Sequence, residues 1–245
     1  MKPPTQETVA KFRVGCYSEK NPDECHSLGL YLKRVENDLL KAVKLFKVNC
    51  DEYKHAKSCL EYGNVAFGGV KEKNVKSDPI EALKYFEKGC SFGSSENCLN
   101  SGLLLVSPLL EKSALPRDIP KGMDYLTKSC NMDNGNACFY LSGLYMSGAS
   151  STINSQSNQN NEQSPAVEKP RNAFVLEKDM KKAFELTTKA CSLNNFFACA
   201  NLSNMYARGD GTEKNLEKSE QFKKKADELR DEMNRQRILS SFNHP

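Results

Sequence analysis

The residues of this 245-residue chain with the clearest chemistry are its ten cysteines. Cysteines can pair as disulfides, hold zinc as thiolates, or exchange thiols with another protein. Each cysteine here has a partner eight or nine positions away, and none is left over. Because this short interval recurs five times, we predict that one disulfide closes each interval. The predicted pairs are Cys16–Cys25, Cys50–Cys59, Cys90–Cys98, Cys130–Cys138 and Cys191–Cys199.

Other uses of these cysteines fit the spacing less well. A redox-active pair favours Cys-x-x-Cys near a helix N-terminus, and the sequence has no such motif. Zinc binding would require two pairs to converge on one tetrahedral site, whereas repeated hairpins keep their pairs about one repeat apart. We therefore predict no catalytic residue, no metal site and no enzymatic activity. Thiol–disulfide exchange at one strained pair is left as the enzymatic alternative.

The elements that must position the cysteines appear when the chain is aligned on the first cysteine of each pair. Four segments then align without gaps: DLLKAVKLFKVNC (38–50), DPIEALKYFEKGC (78–90), DIPKGMDYLTKSC (118–130) and DMKKAFELTTKAC (179–191). Each begins with an aspartate, a residue that caps helix N-termini well. Small or apolar residues recur at positions −8, −7 and −4 from the cysteine, as on one face of an α-helix. We call this segment helix A; Thr187 breaks the apolar pattern at −4, which predicts looser packing of the fifth hairpin.

A second helical segment, helix B, follows the second cysteine of each pair. Four positions after that cysteine stands a small residue in every repeat: Gly29, Gly63, Gly102, Ser142 and Ser203. Glycine inside a helix costs about 1 kcal/mol relative to alanine. Its recurrence at one position therefore predicts the close approach of a neighbouring helix.

The bond and the helix together define the repeat unit. Eight residues of continuous helix span about 12 Å, whereas a disulfide needs Cα atoms within about 7 Å. The helix must therefore break between the cysteines, and each pair joins helix A to helix B across an αα-hairpin turn. We predict an all-α fold, a right-handed superhelical solenoid of disulfide-stapled hairpins forming one repeat domain over residues 1–245. The predicted segments are hairpins at about 5–36, 37–70, 77–107, 117–147 and 177–209, a disordered insertion at 148–172, and a C-terminal capping helix at 213–238.

Composition and charge exclude several classes of protein. The net charge is +4 with both signs interleaved, which is not the clustered basic surface of a nucleic-acid-binding protein. The apolar run LLLVSPLL is too short to span a membrane, and the start of the chain lacks the apolar core of a secretory signal. Stable disulfides nevertheless need an oxidising compartment. Their presence without a secretory signal predicts the mitochondrial intermembrane space.

The hairpin unit resembles the Sel1-like repeat, a relative of the tetratricopeptide repeat. ACANLSNMYARGDGTEKN (198–215) carries that family's helix B and its Tyr-x-x-Gly-x-Gly connector. The passages CYSEKNPDEC, NCDEYKHAKSC and KACSLNNFFACANLSNMYARGDG resemble the disulfide-bonded members of the family, over about residues 14–225 except 147–172. The resemblance implies a non-enzymatic scaffold in the mitochondrial intermembrane space. Its implied function is the biogenesis of respiratory chain complex IV (cytochrome c oxidase), by binding protein partners on the concave face.

Histidines and aromatic residues are the remaining candidates for a ligand site. His26 and His55 each adjoin a stapled turn and His244 lies near the end of the chain, so we predict surface histidines. The resemblance leaves haem binding at His26 or His55 as an alternative, although the chain has no Cys-x-x-Cys-His motif. We predict no required cofactor, no nucleic acid, no membrane span and a monomer; a secreted cysteine-rich Sel1 protein is the other alternative. We assign these aromatic residues to the core, with the tyrosines as alternative concave-face residues: Phe46, Phe86, Tyr85, Tyr125, Tyr145 and Tyr206.

Overall fold

The computed structural model describes residues 4–70, 76–108, 115–150 and 174–242, with side chains described as far as Leu239. Within these ranges the chain forms eleven α-helices and a two-stranded antiparallel sheet. The first six helices are α1 (Gln6–Tyr17), α2 (Pro22–Arg34), α3 (Leu39–Asp51), α4 (Ala56–Gly68), α5 (Pro79–Ser91) and α6 (Ser95–Val106). The others are α7 (Ile119–Asn131), α8 (Gly135–Ser147), α9 (Met180–Ser192), α10 (Phe196–Arg208) and α11 (Leu216–Phe242), and the strands are β1 (Ala149–Ser150) and β2 (Val175–Leu176).

The helices pack in chain order, each mainly against the one before and the one after it, as in a solenoid. Each of the five predicted hairpin segments holds two helices of 12 or 13 residues. The all-α solenoid is therefore confirmed for the described residues. Its handedness stays a prediction.

Side-chain caps begin both helices of a repeat. The four aspartates at the start of helix A accept backbone N–H groups of the first turn, as the alignment predicts: Asp38, Asp78, Asp118 and Asp179. Helix B is capped as well, which the alignment does not predict. These caps are Asn21, His55, Ser94, Asn134 and Asn195. Four belong to residue types that commonly cap helices, whereas His55 caps through an imidazole nitrogen.

The recurring small residue of helix B faces the large residue of the next helix A. A Cβ atom on Gly63 would lie 2.5 Å from the Phe86 ring, and one on Gly29 would lie 2.4 Å from the Phe46 ring. Both phenylalanines are fully buried, so a glycine here makes room for the partner's ring. The predicted close approach is confirmed at these interfaces. Thr187 is also fully buried, and its hydroxyl has no hydrogen-bond partner among the described residues, so looser packing of the fifth hairpin stays a prediction.

A second contact joins successive repeats through the first residue of helix B. In three of the repeats, the backbone carbonyl of this residue accepts a hydrogen bond from a side chain of the following repeat. Asn49 donates to the Pro22 carbonyl at 2.9 Å, Asn97 to that of Ala56 at 3.0 Å, and Ser129 to that of Ser95 at 2.7 Å. Asn49, Asn97 and Ser129 are fully buried, so these bonds satisfy polar groups that water cannot reach.

Two predictions made from the sequence are wrong in detail. The disordered insertion does not begin at Gly148, because Ala149 and Ser150 pair with Leu176 and Val175 in the two-stranded sheet. Arg117 further anchors β1 by donating to the Ser150 carbonyl at 3.1 Å. The rest of that predicted insertion, 151–172, lies outside the described residues. The capping helix is also shifted along the chain, since α11 begins at Leu216 and ends at Phe242, later at both ends than the predicted 213–238.

None of the helices in the described ranges is both long and apolar enough to cross a bilayer.

Candidate functional site

The ten cysteines all lie in the described part of the chain, and all are joined in the five predicted pairs. Their Cα atoms lie 4.4–4.9 Å apart, where the end of one helix meets the start of the next. Every cysteine is at most 3 % exposed. Thiol–disulfide exchange requires a thiolate to reach a sulfur atom. Burial of every pair therefore favours a structural role over exchange in the native protein.

Lysines at position −2 of α5, α7 and α9, and Lys225 at the corresponding position of α11, contact the turn of the preceding repeat. Lys128 donates to the carbonyl of Cys90 at 3.3 Å, and Lys225 to that of Cys191 at 3.0 Å. Lys88 and Lys189 instead pair with side-chain carboxylates of the preceding repeat, Asp51 and, at 3.4 Å, Asp133. A cation suits the C-terminal end of a helix, where carbonyls lack partners. The sequence analysis missed these lysines, although EKGC, TKSC and TKAC repeat them visibly.

The two candidate histidines come together in a polar cluster between the first and second hairpins. Their ring centroids are 4.9 Å apart, and the Nδ1 atoms of His26 and His55 lie 3.1 Å and 2.9 Å from the Ser58 hydroxyl. The side-chain amide of Asn49 donates to the same hydroxyl at 2.7 Å. Neither histidine is exposed, so the prediction of surface histidines is wrong for this pair. His244 lies outside the described residues.

Hydrogen bonding assigns the tautomer of His55. The backbone N–H of Ser58 donates to Nδ1 of His55 at 3.2 Å, so this nitrogen accepts and the proton is on Nε2. Nε2 lies 3.2 Å from a carboxylate oxygen of Asp23 in the first repeat, to which it donates. His55 thus caps α4 and links it to the preceding helix B.

The environment of His26 favours its neutral form. Burial, and secondarily the neighbouring His55, lower the pKa of His26 from its ordinary value of 6.5 to about 4. Lys57 also lowers the pKa, whereas the carboxylates of Glu61 and Asp23 raise it. The native cluster therefore holds His26 uncharged where an unfolded chain would protonate it.

This difference predicts a pH dependence of stability. Between pH 6.5 and pH 4 the unfolded chain binds a proton at His26 that the native protein excludes, so stability falls as the pH falls through this window. After allowance for solvent screening, we expect the loss to be roughly 1–2 kcal/mol larger in wild type than in His26→Gln. Urea unfolding at several pH values across the window measures it. Parallel profiles for the two proteins would contradict the assignment.

The contacts of the histidine cluster bear on whether it could hold a cofactor. Groups of three or more histidine, cysteine, aspartate or glutamate side chains that could hold a metal ion are absent from the described residues. Both histidines are engaged with Ser58, and His55 also with Asp23. A haem at this position would have to break these contacts. Haem binding at His26 or His55 therefore stays an alternative that nothing here tests.

A network of tyrosine, lysine and carboxylate groups lies between α3, α4 and α5. Tyr85 is buried, and its hydroxyl donates to Asp51 at 2.7 Å. The ammonium groups of Lys47, Lys84 and Lys88 lie 5.7, 5.6 and 4.7 Å from the centre of its ring. Burial, followed by the Asp51 carboxylate, raises the pKa of Tyr85 above its ordinary value. The phenol therefore stays neutral and serves as a hydrogen-bond donor.

The same positions recur one repeat later with the charges reversed. Lys47 lies 3.5 Å from Glu81 at the interface of α3 and α5. At the next interface Glu87 lies 2.8 Å from Lys121, again at positions −3 and −9. If the repeats stacked in a different order, the lysine at position −3 of α3 would face the lysine at position −9 of α7, and these like charges would repel. The arrangement therefore favours one order of neighbours.

Exposed apolar side chains mark two surfaces of the solenoid. One is aromatic, on helix B of the last two hairpins, where Phe139 stacks on Phe197 with ring centroids 5.9 Å apart and Tyr140 is exposed. Helix α8 carries no charged residue. The other lies on helix A of the second and third hairpins, where Leu40, Val48 and Ile80 are exposed. Exposed apolar clusters of this kind are typical of protein-binding surfaces.

Known proteins resemble the chain along most of its length. The family model described as "Sel1 repeat" matches residues 8–47, 53–93, 109–134, 174–195 and 197–226. A cytochrome c oxidase assembly factor 7 homolog of Drosophila melanogaster is 45% identical over 243 residues, covering 95% of this chain and 90% of that relative. Cytochrome c oxidase assembly factor 7 of Xenopus tropicalis is 32% identical over 222 residues, covering 89% and 84%.

Solved structures resemble the fold. A crystal structure of a Sel1 repeat protein from Oxalobacter formigenes matches with a TM-score of 0.66 at 17% identity. The match covers 90% of this chain and 79% of that protein. At this level of identity the likeness concerns the architecture, a stack of helical hairpins.

Proposed function

Because this chain belongs to the Sel1 repeat family, we propose that it is a protein-binding scaffold for the biogenesis of cytochrome c oxidase in mitochondria. The observation that carries the proposal is the 45% identity, over 95% of the chain, to a relative named as an assembly factor of this enzyme. This identity extends over nearly the whole length of both proteins. The role we propose is therefore the same kind of role.

The fold suits a scaffold without catalysis. A solenoid presents extended surfaces on which another chain can lie. The buried disulfides close each hairpin and the lysine contacts join successive hairpins, whereas exposed apolar side chains are left at the surface. We propose that the protein acts by binding its partners and not by chemistry at its cysteines.

We propose the intermembrane space as the compartment. Five disulfides need an oxidising environment to form and persist. Cytochrome c oxidase is a mitochondrial enzyme, so the mitochondrial compartment that oxidises cysteines would satisfy both requirements. Protease treatment of mitochondria tests this: the protein should be protected in intact organelles and digested once the outer membrane is opened. Protection after opening would contradict the compartment.

Depletion and rescue test the function. We expect loss of the protein to lower the amount of assembled cytochrome c oxidase on native gels while the ATP synthase, as internal control, is unchanged. Re-expression of the wild-type chain should restore the enzyme. Normal amounts of assembled cytochrome c oxidase after complete depletion would overturn the proposal.

A further inference from the structure

Helices α3 and α5 expose apolar side chains on the side that faces away from the core. Leu40, Val48 and Ile80 are 53%, 43% and 51% exposed. They alternate with the exposed lysines Lys44 and Lys84. We call these five residues the α3–α5 face. Apolar side chains exposed together, with charges between them, are typical of a site that another molecule covers.

The repeat register places these residues side by side. Leu40 and Ile80 stand at position −10 of their helices, Lys44 and Lys84 at −6, and Val48 at −2. Residues four apart lie on one side of a helix. The Lys47–Glu81 ion pair joins the two helices, and Val48 and Ile80 directly adjoin its two members. The two stripes therefore lie on neighbouring helices that contact each other.

The apolar character of this surface is confined to the first repeats. Position −2 is Val48 in α3 but lysine in α5, α7 and α9. In the preceding repeat, the residue directly after the first cysteine is Tyr17, which is 59% exposed. One repeat later the same position is Asp51. At position −10 the later helices carry Pro120 and Lys181. Val48 and Tyr17 thus stand at the sequence positions that Lys88 and Asp51 occupy one repeat later, where those two form an ion pair.

The charge around these apolar residues is positive. Lys44 has no ion pair with any residue that the structure describes, and Lys84 lies at 3.4 Å from Glu81 on its own helix. The nearby carboxylates are already engaged, Glu81 by Lys47 and Asp51 by Lys88. An incoming carboxylate would therefore meet ammonium groups that have few competing partners.

We propose that the α3–α5 face binds an acidic amphipathic helical segment of a partner polypeptide. Such a segment places apolar residues at helical spacing on Leu40, Val48 and Ile80, and carboxylates between them on Lys44 and Lys84. An anionic membrane surface is the other kind of partner that lysines and apolar side chains together attract. The peptide is favoured because an extended solenoid surface suits another polypeptide, and vesicle binding is the competing outcome of the test. The inference rests on the scaffold function proposed above and names the partner surface it uses.

Binding of a designed peptide tests the proposal. The probe is a fluorescent helical peptide with leucines at i, i+3, i+4 and i+7 and glutamates between them, and its control has lysine at every glutamate position. Anisotropy is measured for wild type, for Lys44→Glu/Lys84→Glu, for Leu40→Ser/Ile80→Ser, and for Lys178→Glu/Lys181→Glu. The last variant makes the same charge change on exposed lysines at the start of α9. Circular dichroism and non-reducing gels establish that each variant is folded.

We expect the acidic peptide to bind wild type and the α9 variant with equal affinity. Each of the two face variants should bind it at least about tenfold more weakly. The basic peptide should bind none of these proteins. Affinity should also fall with added salt. Equal binding by the Lys44→Glu/Lys84→Glu protein would overturn the proposal. So would binding to phosphatidylcholine–phosphatidylglycerol vesicles that is stronger than binding to the peptide.

Rescue of depleted cells separates this inference from the proposed function. We expect Lys44→Glu/Lys84→Glu to restore less cytochrome c oxidase than the α9 variant does. Full rescue by the face variant would overturn the role of this face and leave the scaffold function standing. An unchanged amount of the enzyme after depletion would overturn the function, whereas the peptide measurement would be unaffected.

Discussion

Removal of a single central disulfide, in Cys90→Ala/Cys98→Ala, is expected to lower the free energy of unfolding by about 2–3 kcal/mol. The bond closes a loop with a sequence separation of eight, so its loss returns conformational freedom mainly to the unfolded chain. Both cysteines are buried, and alanine leaves no unpaired polar atom in their place. Urea unfolding followed by circular dichroism measures the change.

Reduction of all five bonds is expected to unfold the stack. The summed effect is comparable to the roughly 5–15 kcal/mol that separates a folded domain from its unfolded state. Because the sulfur atoms are buried, a reductant should act slowly on the native protein and quickly in denaturant.

The terminal pair provides the matched control for the central one. Cys16→Ala/Cys25→Ala lies in the first hairpin, which packs mainly against one neighbouring repeat among the residues that the structure describes. Its loss should fray that end and remove less helical signal than the central variant does. Native thiol labelling of the wild type at more than about one thiol per chain would contradict the closed framework. So would a central variant as stable as wild type.

Phe86→Ala is expected to destabilise the protein by about 3–5 kcal/mol, the other large effect that the structure predicts. The ring is buried between α4 and α5 and fills the space above Gly63. Truncation leaves a cavity that the rigid backbone of the two helices cannot close. Gly63→Ala should also destabilise, by about 1–3 kcal/mol, because its Cβ atom would collide with the same ring.

A double-mutant cycle tests whether these two positions act as one contact. Combining Gly63→Ala with Phe86→Leu should cost less than the sum of the two single changes, since the smaller side chain makes room for the new methyl group. Gly143→Ala is the control: it is an exposed glycine within α8, and a Cβ there meets nothing within 4 Å. It should stabilise by up to about 1 kcal/mol through helix propensity. Additive single effects would contradict the proposed complementarity.

The fold could be predicted because its determinants are local and repeated. The caps at Asp38 and Asp78 act on backbone groups two or three residues away, and each disulfide closes eight or nine residues. Five copies of one pattern make each assignment a check on the others. The family and its implied function followed from the same residues. The short β pairing of Ala149 with Leu176 escaped prediction because two residues form no recognisable period.

The candidate sites were less predictable, as the histidines illustrate. His26 and His55 were visible as residue types, but their interaction through Ser58 joins side chains of different hairpins. The prediction of surface histidines failed for this reason. The α3–α5 face likewise needed the structure, since exposure of Leu40 and Ile80 depends on what the neighbouring repeats cover.

The sequence by itself determined each hairpin and the disulfide that closes it. The residues that did so are the ten cysteines, the aspartate caps and the small residues of helix B. The tertiary structure alone decided how one hairpin meets the next. Lys128 reaches the Cys90 carbonyl across 38 residues of sequence, and His26 reaches Ser58 across 32. Such contacts depend on the offset and angle between successive helix pairs, which are set by the packing of many side chains at once. No single repeat contains that information, because the interface exists only between two of them.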